Sequence, residues 1–458
     1  MNTSNLTRRA FLAASTTTML SACATTRVNT AQVVPGKISP NEKLNLAAVG
    51  IGGMGRRNID SCATENIVAL CDVDSNHAAK QFDKYPKAKR FVDYRVMFDK
   101  ASKEFDGVII ATPDHTHAVI SMEAITHGKH IYCQKPLAHS LHEVRTVTEA
   151  ARAAGVQTQM GNQGHSSDNM RLIKEWIEND AVGKVREVHA WSDRPVGGNP
   201  WSDFPMMGRP TDTPAVPESL NWDLWVGPAP MRPYHPIYHP STWRGFYDFG
   251  TGPLGDMGCH ILDPSFYAMD LGHPDYVQAS STHTGDEASK ETYPRATIVN
   301  YRFPKTKKRG PIDLTWYDGR LLPAIPKFLP GDFKLPSNGA LIIGDKGIIL
   351  HGSHGAGSAV LLPESRRAEY TDPKPYLERV KQQEGAHELD WVRACKDGKP
   401  ASSNFEYGGP LTEMVLIGVL AIRMKDQRLE WDGDNLIITN NEAANALVNP
   451  PYRDGWSL

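Results

Sequence analysis

The 458-residue chain carries 50 Lys+Arg against 52 Asp+Glu, a formal charge of −2, which excludes the basic face that a dedicated nucleic-acid binder uses to displace counterions. Apolar residues at 40% and charged residues at 22% exclude collagen, coiled coil and wholesale disorder. The length predicts two to three domains. No apolar run is expected to reach the roughly 18 to 20 residues that cross a bilayer, so no membrane span is expected.

The first residues read as an address. Thr7-Arg8-Arg9-Ala10-Phe11-Leu12 resembles a twin-arginine export signal, and Ala10 to Ala22 fits a short, weakly apolar signal region. Leu20-Ser21-Ala22-Cys23 resembles a bacterial lipobox, with Cys23 as the lipidated first residue of the mature chain. Residues 1–23 are therefore expected to be a signal and 24–43 a Thr-, Val- and Pro-rich tether. That places the protein on the periplasmic side, touching the membrane only through a lipid at Cys23. The alternative is a chance pairing of two arginines and a cysteine. The other five cysteines, Cys62, Cys71, Cys133, Cys259 and Cys395, lack C-x-x-C spacing and predict buried free thiols. No His/Cys cluster has zinc-ligand spacing, so no metal is expected.

Lys43 to Val49 predicts a strand that runs into Gly50-Ile51-Gly52-Gly53-Met54-Gly55 and then a helix from Arg56 to Cys62. In this G-x-G-x-x-G turn the glycines permit a tight bend, a close approach to a pyrophosphate and close helix–strand packing, and the helix N-terminus favours the phosphates. A second strand, Ile67 to Cys71, ends at Asp72. A carboxylate there accepts ribose hydroxyls and repels a 2′-phosphate, which predicts NAD over NADP; the alternative is a helix cap or turn residue. Strands at 106–111, 129–133 and 156–160, with a helix at 118–128, predict a doubly wound parallel sheet over 44–162. Its ligands belong beyond the strand ends, where Thr112-Pro113-Asp114-His115-Thr116-His117 and Gln134-Lys135-Pro136 lie.

Gly50 to Gly55, Asp72, Thr112-Pro113 with His117, Gln134-Lys135-Pro136, and Asp256 with His260 in Gly255-Asp256-Met257-Gly258-Cys259-His260 together resemble the glucose-fructose oxidoreductase, inositol dehydrogenase and MocA family. The resemblance covers nearly all of the chain from about Leu44. It implies an α/β protein: an N-terminal Rossmann domain, then at 163–458 a C-terminal α/β domain with a large, mostly antiparallel open sheet, whose last helix returns towards the first domain. It implies NAD as cofactor, with Gly50, Gly52, Gly53, Met54, Gly55, Asp72, Thr112, Pro113, His117, Gln134 and Lys135 around it. It also implies hydride transfer to or from a sugar or cyclitol carbon, and a homo-oligomer, dimer or tetramer. The family's usual E-K-P is Gln134-Lys135-Pro136 here, which leaves the role of its Glu open.

Alcohol oxidation needs a base for the hydroxyl proton. Lys135, desolvated beside a cationic nicotinamide, would have a lowered pKa, and His260 is the second acid/base candidate. Asp256 would orient His260 or bind a substrate hydroxyl. One helix through both would place them one turn apart, but Pro264 argues for a helix starting later, with Asp256 at its entry. The alternatives are a surface lysine before a turn, and a structural Asp–His pair at a helix start. His117 reads as a structural or cofactor-loop residue. Asn162 and His165, after the 156–160 strand, are candidates for the substrate pocket.

A helix is expected around 170–177 and a strand at 185–191. Pro195 to Pro240 then holds 11 of the 33 prolines, and five of the ten tryptophans fall between Trp191 and Trp243. Proline at this density opposes regular helix or central strand, so 195–245 reads as a long ordered excursion. Its aromatics, Trp243 included, suit the C–H faces of a pyranose, with Asp193, Arg194, His235, His239 and Arg244 for its hydroxyls. A packed structural loop or an oligomer arm fits as well. Strands follow at 276–283, 296–303, 312–316 and 339–350, the last with a turn at Gly344-Asp345-Lys346-Gly347, and helices at 387–394 and 414–424. Gly352 to Gly357 precedes no helix and is not read as a phosphate loop.

Export bears on the chemistry, because NAD is not freely supplied outside the cytoplasm. A tightly held cofactor would exchange hydride with a second substrate or return it to the first. Three functions stand: a sugar, glycoside or cyclitol oxidoreductase; a redox-neutral NAD-dependent glycosidase; and a non-catalytic sugar-binding lipoprotein.

Overall fold

The computed structural model describes residues 39, 42–195 and 207–458. The export signal, Cys23, most of the tether and Trp201 lie outside the described residues.

Short buried runs of Ala, Val, Ile and Leu form the first sheet: β1 (Asn45–Val49), β2 (Asn66–Cys71), β3 (Lys89–Phe91), β4 (Gly107–Ile110), β5 (His130–Cys133) and β6 (Thr158–Met160). All neighbours are parallel, in the order β3-β2-β1-β4-β5-β6. The order reverses between β1 and β4, which opens a crevice at their carboxyl ends. The sequence reading omits β3, because Lys89-Arg90-Phe91 is a three-residue edge strand with no hydrophobic period. The helix Leu141–Ala154 is fixed at one end by a Ser140/Glu143 capping box and at the other by left-handed Gly155.

The second sheet comprises β7 (Val185–Trp191), β8 (Tyr276–Ser281), β9 (Thr297–Phe303), β10 (Ile312–Tyr317), β11 (Gly339–Gly344), β12 (Ile348–His351), β13 (Val360–Leu362), β14 (Arg428–Asp432) and β15 (Ile437–Ile438). Its order is β13-β12-β11-β7-β10-β9-β8-β14-β15. Every neighbouring pair is antiparallel except β7 with β10. The expected 339–350 strand is thus a hairpin, folded at the Gly344–Gly347 turn.

The helix Phe405–Arg423 packs on β8, β9 and the Leu141–Ala154 helix. It corrects two expectations. It begins well before Met414, because Asn404 caps it and Pro410 sits in its second turn. At 19 residues with a mean hydropathy of 1.3 it is long and apolar enough to cross a membrane, yet 83% of that apolar stretch is buried inside the protein, as in the core helix of a globular fold. Asp256 also differs from expectation. The helix Gly252–Ile261 runs through Asp256 and His260, and a second helix, Asp263–Met269, takes Pro264 in its first turn, where proline is tolerated. Proline does not exclude helix from the excursion either: Trp222–Val226 is helical in the gap between Pro217 and Pro228.

Candidate dinucleotide and active site

The first part of the site is the turn after β1. Gly50 has φ +77°, and a Cβ there would lie 2.7 Å from the Thr112 backbone nitrogen, at the tip of β4. Glycine is required on both counts. A side chain at Gly55 would overlap the Gly50 carbonyl, so the helix Met54–Ser61 starts hard against the strand. Gly53 is its N-cap and supplies no side-chain bond, leaving the first-turn N–H groups of Met54 and Gly55 uncapped, as an anion cradle needs. Asp72 braces the turn, with one oxygen accepting from Ile51 N–H at 2.8 Å and the other from Asp74 N–H at 3.0 Å. Each oxygen keeps a lone pair for a ribose hydroxyl. The cradle fits a dinucleotide pyrophosphate, and Asp72 fits its ribose.

Behind Pro113, both ring nitrogens of His117 lie 2.8 Å from carbonyl oxygens, those of Thr112 and Pro136. Only a doubly protonated ring satisfies two acceptors. Burial pushes this imidazole down, but Cys133, Asp114 and the Pro136 carbonyl outweigh it and hold its pKa at about 9. His117 therefore ties the tip of β4 to the tip of β5 and is not free for proton transfer.

Lys135 leaves the tip of β5 and reaches the helix of the second half. Its Nζ donates to the Asp256 carbonyl at 2.6 Å and to Asp256 Oδ1 at 2.8 Å. Arg194 pairs with the other oxygen, and Arg244 Nε lies 3.5 Å from Oδ1. Burial alone would raise the Asp256 carboxyl; Lys135, Arg194 and Arg244 overcome it and hold the group well below the usual carboxylate range. Asp256 does not orient His260, because it is committed to these cations. His260 Nδ1 is buried and, among the described residues, lacks a hydrogen-bond partner. Burial first, then His354 and Lys135, push its pKa well below 6.5, so the ring is neutral at pH 7.

The sequence reading missed His354. Its ring lies 4.1 Å from that of His260, on the glycine-rich loop after β12. That loop docks because Gly164 and Gly355 are both glycine: a side chain at Gly164 would overlap the Gly355 nitrogen. The departure at Gln134 also finds its setting. Gln134 Nε2 donates to Asn58 Oδ1 at 2.9 Å, and Asn58 Nδ2 donates to Glu388 at 2.6 Å. A carboxylate thus enters this network two side chains away, from the helix Ala386–Asp397.

Three substrate candidates are placed elsewhere. Asn162 and His165 are buried and both hold Asp263, at 3.0 Å each, while Ser403 donates to Asn162 at 2.6 Å. They join the strand-β6 turn to the Asp263–Met269 helix. Trp243 is 5% exposed, packed with Trp222, Trp225, Tyr238 and Phe249 in a separate small core. It is no open platform for a sugar; its outer face carries the Arg244 guanidinium at 4.2 Å. Of the four, Arg244 alone reaches Asp256. His235 and His239 turn to Asp212 and Asp74. The five cysteines of the described residues are buried free thiols.

A Rossmann sheet with an uncapped glycine turn, joined through a lysine to a second α/β unit, defines a two-part nucleotide-dependent oxidoreductase fold. The sequence model described as an oxidoreductase family, NAD-binding Rossmann fold, matches residues 44–162, and its C-terminal alpha/beta counterpart matches 168–301. Together they cover more than half of the chain, which belongs to the GFO/IDH/MocA oxidoreductase family. Inositol 2-dehydrogenase of Salmonella typhimurium is 29% identical over 152 residues, 32% of this chain and 45% of that protein. Levoglucosan dehydrogenase of Pseudarthrobacter phenanthrenivorans is 24% identical over 240 residues, 50% of this chain and 52% of that protein. The chain thus matches about half the length of these curated relatives. The fold superposes on aldose-aldose oxidoreductase from Caulobacter crescentus, with TM-score 0.56 at 16% identity, over 85% of this chain and 100% of that one. An inositol dehydrogenase homolog from Azotobacter vinelandii, complexed with NADH and myo-inositol, gives TM-score 0.55 at 14% identity, over 85% and 98%.

Proposed function

We propose that the protein is an NAD-dependent oxidoreductase acting on a secondary alcohol carbon of a sugar, glycoside or cyclitol. The observation that carries this is the meeting of Lys135, from the carboxyl edge of the Rossmann sheet, with Asp256 one helical turn from His260. The names of the inositol and levoglucosan dehydrogenases among its relatives support a polyhydroxylated ring as substrate.

When bound, the nicotinamide supplies the hydride acceptor; proton handling falls to the chain. Two of the three Lys135 N–H groups go to Asp256, which leaves the third for the substrate oxygen. Neutral His260 is the available proton acceptor at pH 7. Arg194 and Arg244 position Asp256, and through it Lys135. The test is NADH formation by the purified protein with NAD⁺ and a panel of sugars and cyclitols, repeated with NADP⁺. Lys135→Ala and His260→Ala should each lower kcat at least about 100-fold, the usual weight of a positioned acid or base, and NAD⁺ should be preferred because of Asp72. Full turnover in both variants would overturn the assignment.

We also propose that the protein is exported and anchored through Cys23, on the strength of the arginine pair and lipobox in the sequence. Fatty-acid labelling in the native host should mark the wild type and not Cys23→Ala. Equal labelling of the two would remove the anchor.

A further inference from the structure

Residues 219–249 belong to the excursion whose role the sequence leaves open. They form a rigid block with its own core: Trp222 stacks on Trp225 with centroids 4.7 Å apart, and Tyr238, Phe246 and Phe249 close around them. This block meets the first sheet at two places, both of them strand tips.

At the tip of β2, Ser75 N–H donates to Ser219 O at 3.0 Å and Asn221 N–H donates to Val73 O at 2.8 Å. His239 Nε2 lies 2.9 Å from Asp74 Oδ2. The His239 ring also meets His77 edge-on at 5.5 Å, and His77 is the ring that a side chain at Gly52 would overlap. At the tip of β4, the two ring nitrogens of His115 face Trp225 O at 3.0 Å and Phe249 O at 3.2 Å, and Gly227 leaves room for the Thr116 methyl. Between β2 and β4 in the sheet lies β1, whose glycine turn is the phosphate cradle. The block therefore bridges the crevice from one bank to the other, on the side that Asp72 marks for the ribose.

We propose that residues 219–249 are a clasp that makes the dinucleotide a resident group, released only when the block detaches from a strand tip. The inference rests on the reading of this crevice as the NAD site. In an uncovered crevice a dinucleotide leaves by lifting off the strand tips; here one bank must first give way. On the β2 bank His239 and Ser219 both reach the Asp74 carboxylate with their side chains, and the remaining bonds are made by backbone and the short Ser75 side chain; His239 is the larger of the two and the one that also packs on His77. It does not touch the Lys135 group, so its role is separable from the chemistry.

The test uses the full chain purified without added coenzyme. Bound dinucleotide is counted by mass spectrometry after denaturation, and its exchange is followed with excess isotopically labelled NAD⁺. The wild type should retain about one dinucleotide per chain through desalting. His239→Ala should exchange at least about tenfold faster, the effect of about 1.4 kcal/mol lost from the bound state, with unchanged circular dichroism. His239→Gln, whose amide can still donate to Asp74, should fall between. Rapid exchange in the wild type, or identical exchange in all three proteins, overturns the clasp while leaving NAD binding intact. A wild type that neither retains nor binds dinucleotide overturns the NAD reading itself, and the clasp with it.

Discussion

Asp256 and His260 lie one turn apart on one helix but have opposite electrostatic fates. The carboxylate is buried among cations and stays ionised; the imidazole, whose buried Nδ1 lacks a hydrogen-bond partner among the described residues, stays neutral. Burial is the largest single influence on each; three cations together outweigh it at Asp256, while at His260 His354 and Lys135 push the same way as burial. Glu175, in the helix Asp168–Glu178, sets burial against a neighbouring charge in a form that stability can report. Its side chain accepts from Tyr376 N–H at 2.9 Å and Leu377 N–H at 3.0 Å and is gripped by Arg379. The Arg379 contact, against burial, lowers its pKa from 4.5 to about 2. The folded state therefore keeps this charge to lower pH than the unfolded chain does. Its contribution is present above about pH 4.5 and disappears as pH falls through about 2. At 1.36 kcal/mol per pKa unit the charge is worth about 3 kcal/mol at pH 7. Urea unfolding should show Glu175→Gln less stable by about 2 to 3 kcal/mol at pH 7 and by much less near pH 3. An equal deficit at both values would mean the loss is steric, not electrostatic.

Elements were legible wherever local period and local punctuation coincide. The buried strands of the first sheet, the β7 strand, the hairpin at Gly344–Gly347 and the glycine turn all follow from residues within ten positions of one another. What stayed hidden is long-range. Gly352 to Gly357 is no phosphate loop, and its glycines make sense only beside Gly164, nearly 200 residues earlier in the chain; from that contact comes the placement of His354 on His260. Gln134 loses the charge its family position usually has, and the carboxylate of its network comes from Glu388, on a helix with no motif to announce it. The tryptophans of the excursion are rich in stacking surface, but a sequence does not say whether a ring faces a ligand or another ring. Here Trp222, Trp225 and Trp243 face one another and their neighbours, and the functional weight passes to the edges of the block they stiffen. Pro264 misled for a simpler reason: proline ends one helix or opens the next with equal ease, and Leu262 is the hinge between two short helices rather than a point inside one.

The whole molecule is less divisible than its two sheets suggest. One face of β1, β4 and β5 is closed by the helix Ala386–Asp397, which buries Trp391, Val392 and Cys395 among Leu44, Leu46, Ala48, Ile109 and Tyr132. Gly107 in β4 is bare so that the Trp391 ring can approach; a Cβ there would lie 3.0 Å from it. Across the other face, Arg145 of the Leu141–Ala154 helix makes a bidentate pair with buried Glu413 of the Phe405–Arg423 helix, at 2.8 and 2.9 Å. The Rossmann sheet is therefore completed by chain that follows the second sheet's main strands, and the fragment 42–162 would leave a broad apolar face in water. That fragment should fail to give a cooperative unfolding transition. The full chain should unfold calorimetrically in one transition, with calorimetric and van't Hoff enthalpies in agreement. Trp391→Ala removes a fully buried indole, which costs about 3 to 5 kcal/mol in a core. Because Trp391 belongs by sequence to the second half and by packing to the first, the variant should lower the single transition as a whole and weaken dinucleotide retention with it. Two resolved transitions in the wild type, or one that Trp391→Ala shifts while a second stays fixed, would show the halves to be independent and the shared helix to be an ornament on the first.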